Sequence, residues 1–494
     1  MAKITTIIDI GSNSMRMVVF KKTSRFAFHL INETKSKVKI SENSYQNNGY
    51  LQEIPMMRAF NAMESFINIA KNLKSRKILC VATSALRDAP NKNIFLTKVK
   101  NELGIDIKVI DGEKEAYYGA VGASNLLKDT NFTTVDIGGG STEFALVKGK
   151  NILKTISLNI GTVRLKELFF DKDDLDGAKQ YIINQLISLP DDYKEIGKVV
   201  GLGGTARALS RAIIINSKHP FDSLHGFSYK AENAMLLFED ILNAKSNSKL
   251  SALGVRNDRY DTIKTGTFIF KTIVEFLNTK VVVTSGVGVR EGVYLTDILR
   301  TSNHKFPANF QVSVRSLLDR FVDDVKQTAY LGNNISKIFD TLAPIHKLDT
   351  KYKSYLVISA KLQQIGISLN YYKNTEHSAN FILNGLNYGF THEERILIST
   401  IIKYSTKELP TESDIKNFKN LLPDIKTLEW LSYIHSLNNI LNSEYLRYPY
   451  GYDLSGKTFS ISSDREHYII QKGLQRLEKP INFELELYLN GEQP

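Results

Sequence analysis

The sequence is poor in cysteine and contains no long apolar run. Cys80 is the only cysteine among 494 residues, so no intrachain disulfide can form, which suits a reducing compartment. No window approaches the 18 or more uninterrupted apolar residues that a membrane span requires. The opening segment MAKITTIIDIG is too short and too polar for a secretory signal. We therefore expect a cytoplasmic protein without a membrane partner.

The composition is that of a globular protein with a basic excess. Hydrophobic residues make up 42% of the chain, which excludes disordered and fibrous classes, and the length suggests about three domains. The net charge is +12, with 42 basic and 31 acidic residues before position 301 and 22 and 21 after it. A basic surface concentrates polyanions of any kind, but a solvated lysine-rich surface explains the charge equally well. No specific nucleic-acid partner is expected.

The first 125 residues alternate between strand and helix patterns. Apolar residues at spacings of three and four predict a helix whose buried face includes Met56, Met63 and Ala70. Such alternation is typical of an α/β domain. The predicted strands cover 5–10, 15–20, 26–33, 77–82 and 105–110, and the predicted helices cover 93–103 and 113–127.

An internal repeat is the most informative feature of the chain. DIGSNSMRMVVF (9–20) aligns without gaps to DIGGGSTEFALV (136–147), with Asp, Ile, Gly and Ser recurring in place. In both copies an apolar strand enters a turn of small residues and a second apolar strand leaves it. Further strands are predicted within 154–165, 198–209 and 280–294, and the last two lead directly into helices. We interpret residues 1–125 and 126–300 as two related α/β halves that face each other across a cleft.

The pattern changes after residue 300. Amphipathic helix patterns cover 313–342, 353–369 and 393–409. Near the end, strand patterns at 457–462 and 482–489 flank a helix pattern at 465–478. These observations predict a helical domain over 305–455 and a small α+β appendage over 456–494.

Three glycine-rich turns could bind phosphate groups. Glycine lets backbone N–H groups approach a phosphate closely, and Ser, Thr and Asn side chains add further donors. One such turn is weak evidence, but two related hairpin loops and a third turn before a helix form a much more specific set. The candidate phosphate-binding residues are Gly11, Ser12, Asn13, Ser14, Gly138, Gly139, Gly140, Ser141, Gly203, Gly204 and Thr205.

Several acidic residues lie beside these turns. Asp9 and Asp136 end predicted strands, and together with Glu143 they could hold a divalent cation, for which Mg²⁺ is the natural choice. Alternatively, these acids cap loop amides. Glu113 and Glu115 open the helix after IKVIDG, where a carboxylate could polarise a water molecule or merely favour the helix dipole.

One further cation follows the strand that ends near residue 82. Arg87 could neutralise phosphate charge at the cleft, although an arginine beyond a strand is by default a surface residue.

With these residues the chain resembles the exopolyphosphatase and guanosine pentaphosphate phosphohydrolase family of bacteria. The matching motifs occur in family order over about the first 300 residues. The resemblance implies two ribonuclease-H-like halves with the fold of sugar kinases, heat-shock ATPases and actin, and an active site between them. It also implies Mg²⁺-dependent hydrolysis of the terminal phosphoanhydride of inorganic polyphosphate, of the 5′ γ-phosphate of guanosine pentaphosphate, or of both. The motifs are IDIGSNSMRM, ATSALRDAPN, IDGEKEAYYGAVGA, VDIGGGSTEFALV, GLGGTARAL, RYDTIKTG and SGVGVREGVY.

The resemblance also implies roles for individual residues. Glu115 matches the family's general base, which activates water. Asp136 and Glu143 match acids that coordinate metal or organise the nucleophile, and Asp9 lies in the first phosphate loop. The residues that match phosphate contacts are Asn13, Ser14, Arg87, Gly138, Gly139, Ser141 and Arg259.

The helical region departs from the family. Long members resemble HD-type phosphohydrolases there and carry a metal-binding His-Asp pair, but this chain has Gln363 and Gln364. His377 and Ser378 are kept, whereas Ser405 stands where many relatives have a histidine. Because amides cannot replace a His-carboxylate pair, we expect an HD-like scaffold without its own metal, which serves a homodimer or cradles a polyanion.

Two other functions stay open on the sequence. An ATP-dependent small-molecule kinase of the same fold would consume ATP only with an acceptor. A non-catalytic polyphosphate-binding or nucleotide-binding regulator would bind phosphates without cleaving them. The acids at 115, 136 and 143 favour the hydrolase.

Overall fold

The computed structural model describes residues 3–406 and 408–489. The chain divides into two compact units, Met1–Phe310 and Gln311–Pro494, which are described separately. The parts of the predicted domains at 1–2, 407 and 490–494 lie outside the described residues. Within the described part, no helix has both the length and the apolar character needed to cross a membrane.

The first unit contains eleven strands within its described residues, and most of them match the predicted segments. The strand KILCVA was predicted at the positions where it occurs, because buried parallel strands are uniformly apolar. The strands are β1 (Ile4–Ile10), β2 (Met15–Lys22), β3 (Phe28–Ser36), β4 (Lys77–Ala82), β5 (Ile107–Val109), β6 (Phe132–Ile137), β7 (Thr142–Lys148), β8 (Asn151–Leu158), β9 (Lys198–Leu202), β10 (Ser228–Lys230) and β11 (Val281–Thr284).

Helices connect and cover these strands. The segment 154–165, predicted as strand, divides into β8 and the start of a helix at Thr162. The helices are α1 (Glu53–Asn72), α2 (Ser84–Arg87), α3 (Lys92–Leu103), α4 (Gly112–Leu126), α5 (Thr162–Leu168), α6 (Leu175–Leu186), α7 (Gly203–Asn216), α8 (Ala231–Leu242), α9 (Asn247–Ala252), α10 (Ile263–Phe276) and α11 (Val289–Ile298).

The two sheets of this unit share one topology. The first has the order β3-β2-β1-β4-β5, and the second has β8-β7-β6-β9-β11 with β10 added at the edge. In each sheet an antiparallel three-stranded meander is followed by parallel strands. The predicted α/β class with two related halves is therefore confirmed.

The repeated hairpins also share one register. Asp9 pairs with Arg16 across β1 and β2, and Asp136 pairs with Glu143 across β6 and β7. In both loops the first glycine donates its N–H to the carbonyl of the fourth residue, at 3.2 Å for Gly11 and 2.9 Å for Gly138. The ungapped alignment of the two segments thus reflects one backbone geometry used twice.

Helices α4 and α11 contact both halves of the first unit. Helix α4 packs against β8 and β7 of the second sheet, and α11 contacts both α4 and β1. Tyr294 of α11 stacks on Phe20 of the first sheet, with ring centroids 4.5 Å apart. The helix that carries Glu115 is therefore held by both halves.

The second unit is helical with a small sheet. The pattern at 313–342 forms two helices and not one, because Val322 is extended and the Asp324 side chain accepts from the Gln327 N–H as an N-cap. Two helices, at 374–385 and 425–441, were not predicted. The helices are α12 (Val312–Phe321), α13 (Val325–His346), α14 (Lys351–Leu362), α15 (Asn374–Gly385), α16 (His392–Lys403), α17 (Ile425–Leu441) and α18 (Tyr468–Leu474).

The C-terminal sheet is continuous with the helical core. Its strands are β12 (Gly451–Ser455), β13 (Thr458–Ser463) and β14 (Glu484–Leu489), in the order β12-β13-β14. The first strand was not predicted and begins inside the region assigned to the helical domain. Phe459 and Phe483 join one hydrophobic cluster with Leu331 and Trp430, so the sheet and these helices bury a common core.

The two glutamines that stand in place of the HD-type His-Asp pair make different hydrogen bonds in this unit. Gln363 is buried, and its backbone carbonyl accepts from the Ser378 hydroxyl at 2.7 Å. Gln364 donates to the Tyr445 hydroxyl at 3.1 Å. Across the described residues of the whole chain, no group of three or more His, Cys, Asp or Glu side chains is arranged to hold a metal ion.

Candidate active site

A polar cleft of about 150 Å³ opens in the first unit where the two hairpin loops meet. A Cβ on Gly139 would lie 2.6 Å from the Cβ of Ser12, so only glycine lets the second loop approach the first so closely. The Ser12 hydroxyl lies 3.1 Å from that of Ser84, at the start of α2. The loops are thus fixed against each other at one edge of both sheets.

Helix α5 holds the second loop from behind. Thr162 N–H donates to the Gly138 carbonyl at 3.0 Å, and Val163 N–H donates to the Gly139 carbonyl at 2.8 Å. Arg164 donates through Nε to the Gly140 carbonyl at 2.8 Å. Because all three glycine carbonyls are engaged on this side, the loop conformation is fixed before any ligand binds.

Two longer helices begin at the cleft. The Gly203 and Gly204 backbone opens α7, and Gly288 precedes α11, where its N–H donates to the Glu291 carboxylate at 2.7 Å. Unpaired N–H groups and the helix dipole make such N-termini favourable for anions. A Cβ on Gly204 would lie 2.5 Å from the Arg259 guanidinium, so this glycine leaves room for the cation.

Four arginines line the cleft and lie close to one another. Arg290 donates to Glu33 at 2.7 Å, and Arg16 lies 3.6 Å from the same carboxylate. Arg207 donates through Nε to the Ser285 carbonyl at 3.1 Å. Burial, followed by the charges of Arg290 and Arg16, lowers the pKa of Arg207 to about 10. The fourth is Arg259, and this crowding of cations is what a polyanionic ligand would relieve.

Carboxylates face these arginines. Burial raises the pKa of Asp9 to about 6, although Arg290 and Arg16 lower it in part. Burial likewise raises the pKa of Asp136, against the opposing charge of Arg207. The cleft therefore places acids and cations side by side with little solvent between them.

Glu115 projects into the cleft from the first turn of α4. Asp111 caps this helix by accepting from the Lys114 N–H at 2.7 Å, which fixes the first turn. Arg87 donates to the Glu115 carboxylate at 3.2 Å and to the Ser141 hydroxyl at 3.4 Å. Burial and then the charge of Glu143 raise the pKa of Glu115 well above its usual range, and Arg87 opposes this. By contrast, Glu113 is exposed to solvent.

Three predicted site residues lie behind the cleft and do not line it. Arg87 contacts Glu115 and Ser141, and Gly140 packs against Tyr45 and Ser84. Glu143 is buried and accepts from the Ser157 hydroxyl at 2.8 Å, and burial raises its pKa to about 7 against the influence of Ser141 and Ser157. The predicted residues that do line the cleft are Asp9, Gly11, Ser12, Asn13, Ser14, Glu115, Asp136, Gly138, Gly139, Ser141, Gly203, Gly204, Thr205 and Arg259.

The carboxylates at the cleft fit a magnesium ion held largely by substrate and water. Mg²⁺ is usually bound by one or two carboxylates plus phosphate oxygens and waters, and seldom by an all-protein cage. Asp9 and Asp136 both line the cleft, and a Cβ on Gly203 would collide with Oδ1 of Asp136. The absence of a side chain on Gly203, at the start of α7, thus leaves room for the Asp136 carboxylate.

Three cleft residues, Arg16, Arg207 and Arg290, were missed from the sequence. A usable signal existed for Arg16, because side chains directly opposite each other in an antiparallel pair share one face of the sheet. If Asp9 faces a ligand, its partner Arg16 faces it too. Arg207 and Arg290 lie within the quoted motifs GLGGTARAL and SGVGVREGVY, but only the tertiary fold shows that both residues line the cleft.

Comparisons with known proteins show which family the sequence matches. The sequence model of the Ppx/GppA phosphatase family matches residues 18–301, and that of its domain III matches residues 311–434. A guanosine-5′-triphosphate,3′-diphosphate pyrophosphatase of Photobacterium profundum is 26% identical over 412 residues, which cover 81% of this chain and 80% of that protein. A bifunctional 3-dehydroquinate synthase/phosphatase of Fusobacterium nucleatum is 32% identical over 299 residues, which cover 56% of this chain and 44% of that protein.

Solved structures are similar to part of this chain. A Ppx/GppA family member from Aquifex aeolicus aligns with a TM-score of 0.52 and 27% identity, covering 61% of this chain and 99% of that one. An exopolyphosphatase from Cytophaga hutchinsonii aligns with a TM-score of 0.55 and 23% identity, covering 60% of this chain and 98% of that one, and supports the fold alone.

Proposed function

This chain belongs to the Ppx/GppA phosphatase family, and from that membership we propose that it removes the terminal phosphate of inorganic polyphosphate, of guanosine pentaphosphate at its 5′ end, or of both. The observation that carries the proposal is the cleft itself. There, two glycine-rich loops, four arginines and Glu115 line one cleft. That combination suits transfer of a phosphoryl group to water.

Substrate binding rests on the loops and arginines. The N–H groups of the two loops and of the α7 N-terminus would receive the oxygens of the terminal phosphate. Arg16, Arg207, Arg259 and Arg290 would neutralise its charge and that of the next phosphate. Since these donors are already in place, little reorganisation is needed as charge develops in the transition state.

Glu115 acts as the general base in this proposal. A water molecule between its carboxylate and the terminal phosphorus loses a proton to Glu115 as its oxygen bonds to phosphorus. The bond to the bridging oxygen breaks, and that oxygen leaves with its electron pair on the shortened substrate. Arg87 holds the carboxylate in position through the 3.2 Å contact and keeps its pKa from rising further.

Asp9 and Asp136 would hold Mg²⁺ against the substrate. When bound, the ion supplies charge neutralisation to the phosphate oxygens and lowers the repulsion between the carboxylates and the anionic substrate. Glu143 lies directly opposite Asp136 in the hairpin register, and a bound cation would reduce the repulsion between these two acids.

The experiment measures orthophosphate release from long-chain polyphosphate and from guanosine pentaphosphate, each with Mg²⁺ and with EDTA. Wild type is compared with Glu115→Gln, which keeps the size of the side chain and removes the base. Glu113→Gln is the matched control, because Glu113 lies in the same helical turn but is exposed. We expect a fall of about 10²-fold or more in kcat for Glu115→Gln only.

Each result has a clear meaning. Metal-dependent release that collapses in Glu115→Gln and persists in Glu113→Gln supports the proposal, and the ratio of the two rates identifies the preferred substrate. Binding of both substrates without cleavage would overturn it in favour of a regulator. The Photobacterium relative favours the guanosine nucleotide as the first substrate to test. The homodimer and the cytoplasmic location stay predictions.

A further inference from the structure

A second basic pocket lies at the opposite end of the first sheet from the cleft. It has a volume of about 360 Å³ and is formed where β1 and β4 begin, where β2 ends and where α11 ends. Strand β1 runs from the pocket at Ile4 to the cleft at Gly11, which separates the two by about 20 Å along the strand. The two pockets share no lining residue.

The lining of this pocket is strongly positive. Six basic side chains and one acidic side chain, that of Asp297, are among the described residues that form it. Asp297 already accepts from Lys77 at 2.6 Å and lies 4.0 Å from Arg300. Its single charge is therefore already shared between two of the six cations. The basic residues are Lys3, Lys22, Arg25, Arg76, Lys77 and Arg300.

Backbone hydrogen bonds at the end of the sheet bring the segments that carry these cations together. Lys22 N–H donates to the Lys3 carbonyl at 3.1 Å, and Arg76 N–H donates to the Ile4 carbonyl at 2.9 Å. Because β1 lies between β2 and β4, these bonds bring residues from three segments to one place. Arg25 lies over the Phe26 ring at 4.9 Å, which orients its guanidinium.

The cations repel one another in the absence of a ligand. Burial first, and then the charges of Lys3, Arg25 and Arg300, lower the pKa of Lys22. Solvated lysines on a convex surface avoid such crowding by pointing apart, whereas here a concave pocket collects them. An anion that enters the pocket would gain from all six charges at once.

We propose that this pocket is a second binding site for a small anion with two or three linked phosphate groups, separate from the cleft. The volume lies near the lower end of the range for small-molecule sites, about 300–1,000 Å³, and it suits a short phosphate chain. A flat membrane surface or a nucleic-acid duplex would be met by a broad basic face and not by a concave pocket. The proposal goes beyond hydrolysis in the cleft, because none of its residues reaches the reacting position.

The probe is methylenediphosphonate, whose P–C–P link cannot be hydrolysed by the enzyme. Isothermal titration calorimetry gives the number of equivalents bound per chain for wild type, for Lys22→Gln/Arg25→Gln, and for the control Lys245→Gln/Lys249→Gln. The control removes two exposed lysines elsewhere on the same unit. We expect the pocket variant to bind one equivalent fewer than wild type and the control to bind the same number.

The outcomes separate this proposal from the function of the cleft. If the cleft does not bind the probe, wild type still binds one equivalent, and the pocket variant loses it. Equal stoichiometry in wild type and pocket variant would overturn the proposal. The proposal would also be overturned if the pocket variant lost binding to a DNA duplex but kept binding to the diphosphonate.

A second measurement needs no variant and therefore does not depend on its folding. Lysine acetylation followed by mass spectrometry compares wild-type protein with and without the probe. We expect protection of Lys22 and Lys77 and none of Lys245 and Lys249. Equal labelling of Lys22 and Lys77 with and without saturating probe would contradict the site.

Discussion

Replacing Gly292 by alanine tests how tightly helices α4 and α11 must pack for the cleft to work. A Cβ at this position would lie 2.5 Å from the carbonyl carbon of Tyr118 and 2.8 Å from its Cα, both backbone atoms of α4. The Tyr118 carbonyl oxygen would lie closer still, and ordinary van der Waals contact begins at 3.4 Å, so the helices must separate by more than 1 Å. No side-chain rotation can relieve this overlap.

The expected cost follows from packing energies. Overpacking of a core costs about 1–3 kcal/mol, and occasionally more, and backbone contacts belong at the upper end. Alanine regains about 1 kcal/mol of helix propensity. We therefore expect a net loss of about 2 kcal/mol or more, and a lower midpoint of thermal unfolding by circular dichroism.

The turnover rate of the folded variant should also fall. Glu115 lies at the start of α4 and Arg290 at the start of α11, so a separation of more than 1 Å displaces the proposed base from an arginine of the cleft. A displacement of that size can lower kcat about 10²-fold. The control is Gly119→Ala, whose Cβ meets only the terminal methyl of Leu202, at 3.0 Å. Gly292→Ala with both wild-type stability and wild-type turnover would refute the reasoning.

Three further predictions follow from individual contacts. Arg87→Gln removes a cation that lowers the pKa of Glu115, so the acid limb of the pH–rate profile should move to higher pH, and an unchanged limb would contradict the role of Arg87. Asp9→Asn should raise the Mg²⁺ concentration for half-maximal activity about 10-fold or more, as measured by metal titration, because one of the two carboxylates proposed to hold the ion is lost. Burial lowers the pKa of His435 to about 4, so the unfolded chain binds the proton more readily. The contribution of neutral His435 to the free energy of unfolding should therefore be complete above about pH 6.5. It should fall by roughly 3 kcal/mol as the pH drops to 4. Urea unfolding of His435→Gln should show less of this pH dependence.

Much of the first unit could be predicted because local patterns and tertiary structure agree there. The repeated hairpins were recognised because a short loop of small residues fixes the register, and with it the partners of Asp9 and Asp136. The choice of Glu115 followed from its place in the motif, and the structure adds that Glu113 in the same helical turn is exposed. The roles assigned to these residues stay predictions until they are measured.

The second unit was harder to predict for a physical reason. Helix α17 is buried on most sides, including Leu428, Trp430 and Ile434, so its sequence lacks the polar face that marks an amphipathic helix. Strand β12 has five residues, which is too short to show a clear alternation. The shared core of sheet and helices depends on contacts distant in sequence, and no local pattern reports them.

Attack of water on the terminal phosphorus of the substrate is the central step of the proposed mechanism. Hydrolysis of polyphosphate and of guanosine pentaphosphate in ¹⁸O-labelled water, with mass spectrometry of the products, tests this step directly. We predict one ¹⁸O atom in each released orthophosphate and none in the shortened substrate. Label in the shortened substrate, or no orthophosphate release without an added acceptor, would contradict the mechanism.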